Sequence, residues 1–255
     1  MSESRPNAEF WLDSLRREGA AFRAALTPET LGSQVPSCPE WNVEQLVAHV
    51  GAVYRFHAEH LTRGVATPPE QEDEDPSIAP AGPAVIEWWD ESFRIVLAAL
   101  ESTDPDSPAW NWSIVQDKVA KFWFRRMAQE TAVHRWDAQL GAGAALTEPI
   151  DTRLAVDGID EMLDTFLPSK HDWDPEGQRG VVTLRTTDAD AHWAVRLRGV
   201  GISLLDTGTV FDDSPHAQSA VSGSASDLLL ALWGRVPFTV LTVEGNPELP
   251  RVLIA

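Results

Sequence analysis

The sequence predicts a mixed α and α+β architecture, a four-helix bundle over residues 1–145 followed by a smaller α+β domain over residues 146–255. Two observations carry this. Four long segments of the first half repeat apolar residues at helical spacing, whereas after Gly141-Ala142-Gly143 the pattern shifts to one helix and several short β-like runs. A chain of 255 residues with 43% hydrophobic residues is ample for packed cores in both parts.

The first helix is marked by Phe10, Leu12, Leu15, Phe22 and Leu26, and Thr27-Pro28 punctuates it. The second has a start signal: Asn42 as N-cap, Gln45 completing a capping box, and Trp41 with Leu46 as a hydrophobic staple. From Ala66 to Pro83 the chain is dense in Pro, Glu and Asp and reads as an exposed connector. A third helix carries Val85, Trp88, Trp89, Phe93, Val96, Leu97 and Leu100 on a broad apolar face, and Asp104 to Pro108 ends it. The fourth, from about Gln116 to Leu140, sets Trp123, Met127, Glu130, His134 and Asp137 on neighbouring turns. Beyond it, a helix near Arg153 to Phe166 precedes β-like runs at Val181–Thr187, His192–Arg198, Ile202–Leu205 and Phe238–Glu244. A short helix between the last two is capped by Ser224 with Asp227 and stopped by Gly234.

Composition removes several function classes. With 39 acidic against 20 basic side chains, nucleic acid and anionic membrane surfaces are disfavoured as partners. No apolar run approaches the roughly 20 residues of a membrane span, and Met1 to Asn7 lacks a signal peptide's apolar core, so a cytoplasmic location is expected. Cys38 is the only cysteine, which excludes an intrachain disulfide and a Cys-rich zinc site. Any metal would rely on imidazole and carboxylate.

Glu130 and His134 lie one turn apart on one helix face, close enough to share an ion, and His49 on the second helix is the third candidate ligand. Two His and one Glu with an open position suit a catalytic zinc site. The competing reading is an ordinary helix-surface pair and a hydrogen-bonded core histidine, because Glu-x-x-x-His has little specificity alone. His49 nevertheless stands among Leu46, Val47, Val50 and Val53, where an imidazole needs a partner. His57 and His60 lie two to three turns on and are expected to be solvated or locally paired; His171, His192 and His216 have no useful pattern. Asp137, one turn past His134, is placed to orient that imidazole, to accept a proton, or to pair with Arg135 or another cation. Cys38 reads as a packed loop cysteine rather than a nucleophile, and the eleven tryptophans as packing first and substrate walls second.

Val35-Pro36-Ser37-Cys38-Pro39-Glu40-Trp41-Asn42-Val43 leading to His49, then Glu130-x-x-x-His134-x-x-Asp137, resembles the mycothiol-dependent maleylpyruvate isomerase family, a branch of the DinB-like metal-binding bundles. The run Gly223-Ser224-Ala225-Ser226-Asp227 through Trp233-Gly234-Arg235 is similar to that family's C-terminal domain, which is related to sterol-carrier-protein (SCP2-like) modules. The resemblance spans nearly the whole chain. It implies zinc on His49, Glu130 and His134, with Asp137 and Arg235 beside the metal supporting catalysis. It further implies mycothiol as thiol cofactor, with zinc favouring its thiolate. That thiolate would add to the cis double bond of maleylpyruvate, allow rotation, and leave to give fumarylpyruvate, while Arg235 holds a substrate carboxylate. For Arg235 the simpler alternative is a cation capping a helix C-terminus. Mycothiol S-transfer to an electrophile, lipid or small-ligand carriage by the C-terminal domain, and thiol or metal sensing are the rival functions. Zinc is preferred, with nickel, iron and manganese as other candidates.

Overall fold

The computed structural model describes residues 6–70, 74–143, 147–169, 179–198, 202–205 and 217–254. His171, His216 and part of the acidic stretch from Glu70 to Asp75 lie outside them. The chain forms a helical N-terminal region and a small C-terminal mixed-sheet region, dividing into two compact units at Glu148 and Pro149, with Ser113–Val115 joining the second.

The first unit is built from α1 (Ala8–Ala24), α2 (Val43–Arg63), α3 (Ala84–Ser102) and α4 (Lys121–Gly141), with α1 packed on α4 and α2 on both α3 and α4. The expected capping box is present: Asn42 Oδ1 accepts from the Gln45 amide at 2.9 Å, and the Asn42 amide donates to Gln45 Oε1 at 3.0 Å. This fixes where α2 starts, and hence where His49 faces. Phe22, Trp89 and Phe93 stack in series with Tyr54 against them, so these aromatics are packing. The fourth helix begins five residues later than the sequence suggests. Residues before it form a turn in which Pro108 pairs with Val119 and Lys118 Nζ donates to Asn111 O, a local arrangement that competes with helix.

Buried residues surround α4 on every side, including Arg126, Gln129, Thr131, His134, Arg135 and Asp137. Burying such groups is costly unless each is satisfied. Thr131 Oγ1 donates to Met127 O and lies 2.6 Å from Tyr54 Oη, while Arg135 Nε donates to Glu18 Oε2 at 2.8 Å. Arg135 thus ties α4 to α1 through Glu18 and also donates to Gln139 Oε1.

In the second unit, α5 (Thr152–Glu161) continues through a π-helical turn at Met162–Phe166, where the sequence suggests one helix throughout. The sheet contains β1 (Arg179–Thr186), β2 (His192–Arg198), β3 (Ile202–Leu205), β4 (Ala217–Gly223) and β5 (Thr242–Gly245) in the order β3-β2-β1-β4-β5. β1 and β4 are parallel and the other pairs antiparallel. Helix α6 (Ala225–Leu232) follows β4, capped by Ser224 Oγ accepting from the Asp227 amide, and packs on α5, β1 and β4. Two expectations need correction. β4 is too rich in Ala, Ser and Gly to be recognised from its sequence, and the Phe238–Glu244 run is a 3-10 turn at Phe238–Val240 before β5.

Gly245 has φ of +83°, and a Cβ there would run into the Gln218 carbonyl oxygen opposite it. Gly245→Ala is expected to destabilise the second unit by roughly 2–4 kcal/mol, combining left-handed strain with a clash against rigid backbone. Urea denaturation followed by a probe within this unit checks this.

Candidate metal centre

The capped α2 and the buried α4 bring His49, Glu130 and His134 together, with one donor atom from each lying within 4.8 Å of the others. Glu130 Oε1 is the hub, 3.2 Å from His49 Nε2 and 3.1 Å from His134 Nε2. Ligands at 2.0–2.1 Å from a tetrahedral ion stand about 3.3 Å apart, close to the two separations from Glu130 Oε1, so the three residues could hold a metal ion. The other Glu130 oxygen lies 3.3 Å from Nη2 of Arg126, one turn earlier on α4, leaving Oε1 directed to the imidazoles.

Asp137 is fully buried, and its Oδ2 accepts from His134 Nδ1 at 2.9 Å. Its Oδ1 accepts from Ser37 Oγ at 2.6 Å, and the Cys38 thiol is 3.7 Å from Oδ2. A proton on Nδ1 leaves the Nε2 lone pair for an ion, the carboxylate–histidine arrangement that fixes a metal ligand's tautomer and orientation. Of the roles open to Asp137 in the sequence, the geometry favours orienting His134. Cys38 is half-buried against this carboxylate as a loop residue. The Trp41 ring, expected as a staple, also stands 4.8 Å from that of His49, forming one wall of the cluster.

Burial opposes charge on Glu130, yet the His134 charge, hydrogen bonds from both histidines and the Arg126 charge hold its carboxyl well below the usual range. Burial likewise opposes protonation of His134, but Glu130 and Asp137 outweigh it and raise its pKa to about 9. The cluster therefore favours positive charge between its carboxylates, whether proton or metal ion.

Sequence reasoning missed Ser37, Arg126 and Glu74 as neighbours; Glu74 Oε1 is 3.7 Å from His49 Nδ1. Arg126 had a signal, since Arg-x-x-x-Glu-x-x-x-His places all three on one face of α4. Ser37 and Glu74 lie on loops whose approach to the cluster has no periodicity to reveal it. Arg235 lies in the second unit just past α6, with Nη1 donating to Trp233 O at 2.9 Å.

His57 and His60, expected to be solvated or locally paired, are not solvated. Both are buried beside Phe56, Trp110 and Trp123, with His57 stacked on Trp123 at 3.9 Å. Helix α4 and the Trp110 segment close over that face of α2. Burial, then the neighbouring His60 charge, pushes the His57 pKa well down, and burial with Arg63 lowers His60 to about 4. Both stay neutral in the fold while the unfolded chain takes up protons below about 6.5. Metal-free protein should therefore lose stability as pH falls from about 6.5 toward 4, and His60→Phe should make that loss shallower. His134 acts in the other window: its contribution is complete below 6.5 and is lost as pH rises through about 9. Thermal melts across pH 4–9 would separate the two effects.

The model of the mycothiol maleylpyruvate isomerase N-terminal domain matches residues 12–139, and that of the family's C-terminal domain matches residues 153–251. The chain belongs to the mycothiol-dependent maleylpyruvate isomerase family. Two solved structures share the fold of these family proteins. One is a mycothiol-dependent maleylpyruvate isomerase with a single histidine-to-alanine substitution, at TM-score 0.62 and 14% identity, covering 94% of this chain and 93% of that one. The other is described as the mycothiol-dependent maleylpyruvate isomerase, at TM-score 0.58 and 17% identity, covering 91% and 90%. Comparison by sequence with curated proteins gave no match. Among the described residues no helix is long and apolar enough to cross a membrane.

Proposed function

We propose that this family member is a zinc-dependent enzyme that uses mycothiol to isomerise the cis double bond of maleylpyruvate or a closely related unsaturated keto acid. The observation that carries the reading is the convergence of His49, Glu130 and His134 on one small space with Asp137 behind His134. The donor set fits zinc, being two imidazoles and one carboxylate with a coordination position left over. Bound there, zinc would supply Lewis acidity that favours the deprotonated form of an incoming thiol at neutral pH. The chain's only cysteine is turned to Asp137, consistent with a nucleophile brought by a cofactor.

The protein's residues have separable tasks in this reading. Asp137 holds His134 in one tautomer, Arg126 occupies the second oxygen of Glu130, and the Trp41 ring limits water on the His49 side. Arg235 is assigned to a substrate carboxylate, which a guanidinium can hold with two parallel hydrogen bonds. The C-terminal unit is assigned to the SCP2-like class.

The test is zinc-loaded protein with maleylpyruvate, with and without mycothiol, followed by chromatographic product analysis. Fumarylpyruvate formed only when zinc and thiol are both present is the expected result. A stable thiol conjugate in its place would assign S-transfer, and no thiol-dependent product would remove the enzyme reading. Arg235→Ala should raise KM for the dicarboxylate about 10- to 100-fold by removing a charge-assisted pair, with zinc content unchanged.

A further inference from the structure

The two histidines of the cluster are held differently. His134 is 5% exposed, and its Nδ1 meets the fully buried Asp137. The side chain of His49 is 17% exposed and turns Nε2 toward Glu130, so its Nδ1 points away from that carboxylate. The acidic group on the Nδ1 side is Glu74, whose Oε1 stands 3.7 Å from the nitrogen.

Local structure explains why Glu74 is there. It immediately precedes Asp75, which caps the 3-10 turn at Pro76–Ile78 by accepting from the Ser77 amide at 2.9 Å. That turn packs on α2. Further along, the Gly82 amide donates to Glu44 Oε1 at 2.7 Å, tying the connector to the first turn of α2, five residues before His49. Both ties lie in the stretch that follows Glu74 and fix where it meets the helix.

Glu74 does not join the ligand set. Among the described residues the donor atoms gathered within 4.8 Å of one another come from His49, Glu130 and His134, and Glu74 meets the His49 nitrogen on the far side from them. In a neutral imidazole one nitrogen carries the proton and the other offers a lone pair. Glu130 attracts the proton to Nε2, where a metal needs the lone pair, whereas a carboxylate beside Nδ1 draws it to the opposite nitrogen. A separation of 3.7 Å exceeds a formed hydrogen bond, so the pull is electrostatic, and 31% exposure of the Glu74 side chain screens it. Its effect is therefore smaller than that of Asp137.

We propose that Glu74 is a positioning residue for His49, holding the ring proton on Nδ1 so that Nε2 is free for the metal. This rests on the metal reading of the cluster and extends it to the connector after α2. The centre is then asymmetric, with His134 fixed by a buried carboxylate and His49 by a solvent-screened one.

Glu74→Gln and Glu74→Ala would be compared with wild type by chelator competition for zinc and by the ring nitrogen chemical shifts of His49 and His134 in metal-free protein. Both variants should bind zinc about 3- to 10-fold more weakly, a smaller loss than a buried supporting carboxylate gives. Both should move the His49 proton from Nδ1 toward Nε2 and leave the His134 ring as it is. Glu70→Gln removes the same charge from the same exposed connector and should change neither readout. Circular dichroism would confirm that each variant is folded, and Glu74→Gln, which keeps the side-chain volume, remains informative if Glu74→Ala loosens the connector. Unmoved His49 shifts in both variants overturn the proposal, whatever happens to zinc, because Glu74 would then act by its charge alone. Moved shifts with wild-type zinc affinity overturn it too, since the proton's place would not matter to the metal. Absence of zinc from wild type would instead reject the metal reading, and the metal-free shifts would by themselves decide whether Glu74 sets the His49 tautomer.

Discussion

Zinc-loaded wild type is expected to carry about one zinc per chain after removal of free metal, and His134→Ala to carry almost none. Removing one of three donors should weaken binding about 100- to 1,000-fold, because the remaining pair neither encloses the ion nor supplies a comparable charge-stabilised nitrogen. The variant should still fold. Glu130 keeps its contacts with His49 and Arg126, and Asp137 keeps Ser37. His192→Ala is the control, since His192 is exposed on β2 and should leave zinc content unchanged. Metal analysis on protein never exposed to nickel resin decides the matter. Stoichiometric zinc in His134→Ala would show that the ion sits elsewhere, and the thiol chemistry would then have to be reassigned.

The cluster was legible in the sequence because its geometry is mostly helical arithmetic. Glu130 and His134 must share a face of any helix that contains them, and the Asn42–Gln45 capping box sets the phase of the helix bearing His49. What arithmetic could not supply was the choice between roles. From sequence alone a pair with Arg135 or another cation is the favoured role for Asp137, and only tertiary structure shows its contact with His134 and the pairing of Arg135 with Glu18. Ser37 sits in a loop 100 residues from Asp137, and only tertiary structure brings the two together. The solvated alternative for His57 and His60 failed because burial on α2 depends on Trp110 and Trp123, which close over a face that local sequence leaves open. In the second unit β4 escaped for a related reason. A strand of Ala, Ser and Gly is specified by its place between β1 and β5 more than by its own propensity.

Asp137→Asn is expected to lower zinc affinity about 10- to 100-fold while leaving the fold in place. The substitution keeps side-chain volume but exchanges an acceptor-only group for one with an oxygen and an NH2. Ser37 Oγ donates at the Oδ1 position and holds the amide oxygen there, which turns the NH2 toward His134. His134 Nδ1 must then accept, and in the neutral ring the proton moves to Nε2, the nitrogen needed by the metal. The imidazolium form is also disfavoured, because the negative charge that helps raise the His134 pKa is gone. Ser37→Ala should have the same sign and a smaller size, since it removes one hydrogen bond to Asp137 without changing what Asp137 offers His134. Zinc affinity by chelator competition gives the ranking, and nitrogen chemical shifts of the His134 ring report its tautomer in the metal-free state. Wild-type zinc affinity in Asp137→Asn, with the ring protonated on Nδ1, would make Asp137 an anchor for the Ser37–Cys38 loop alone. The loss of affinity with the proton on Nε2 would instead tie the carboxylate, through one imidazole, to the chemistry of the site.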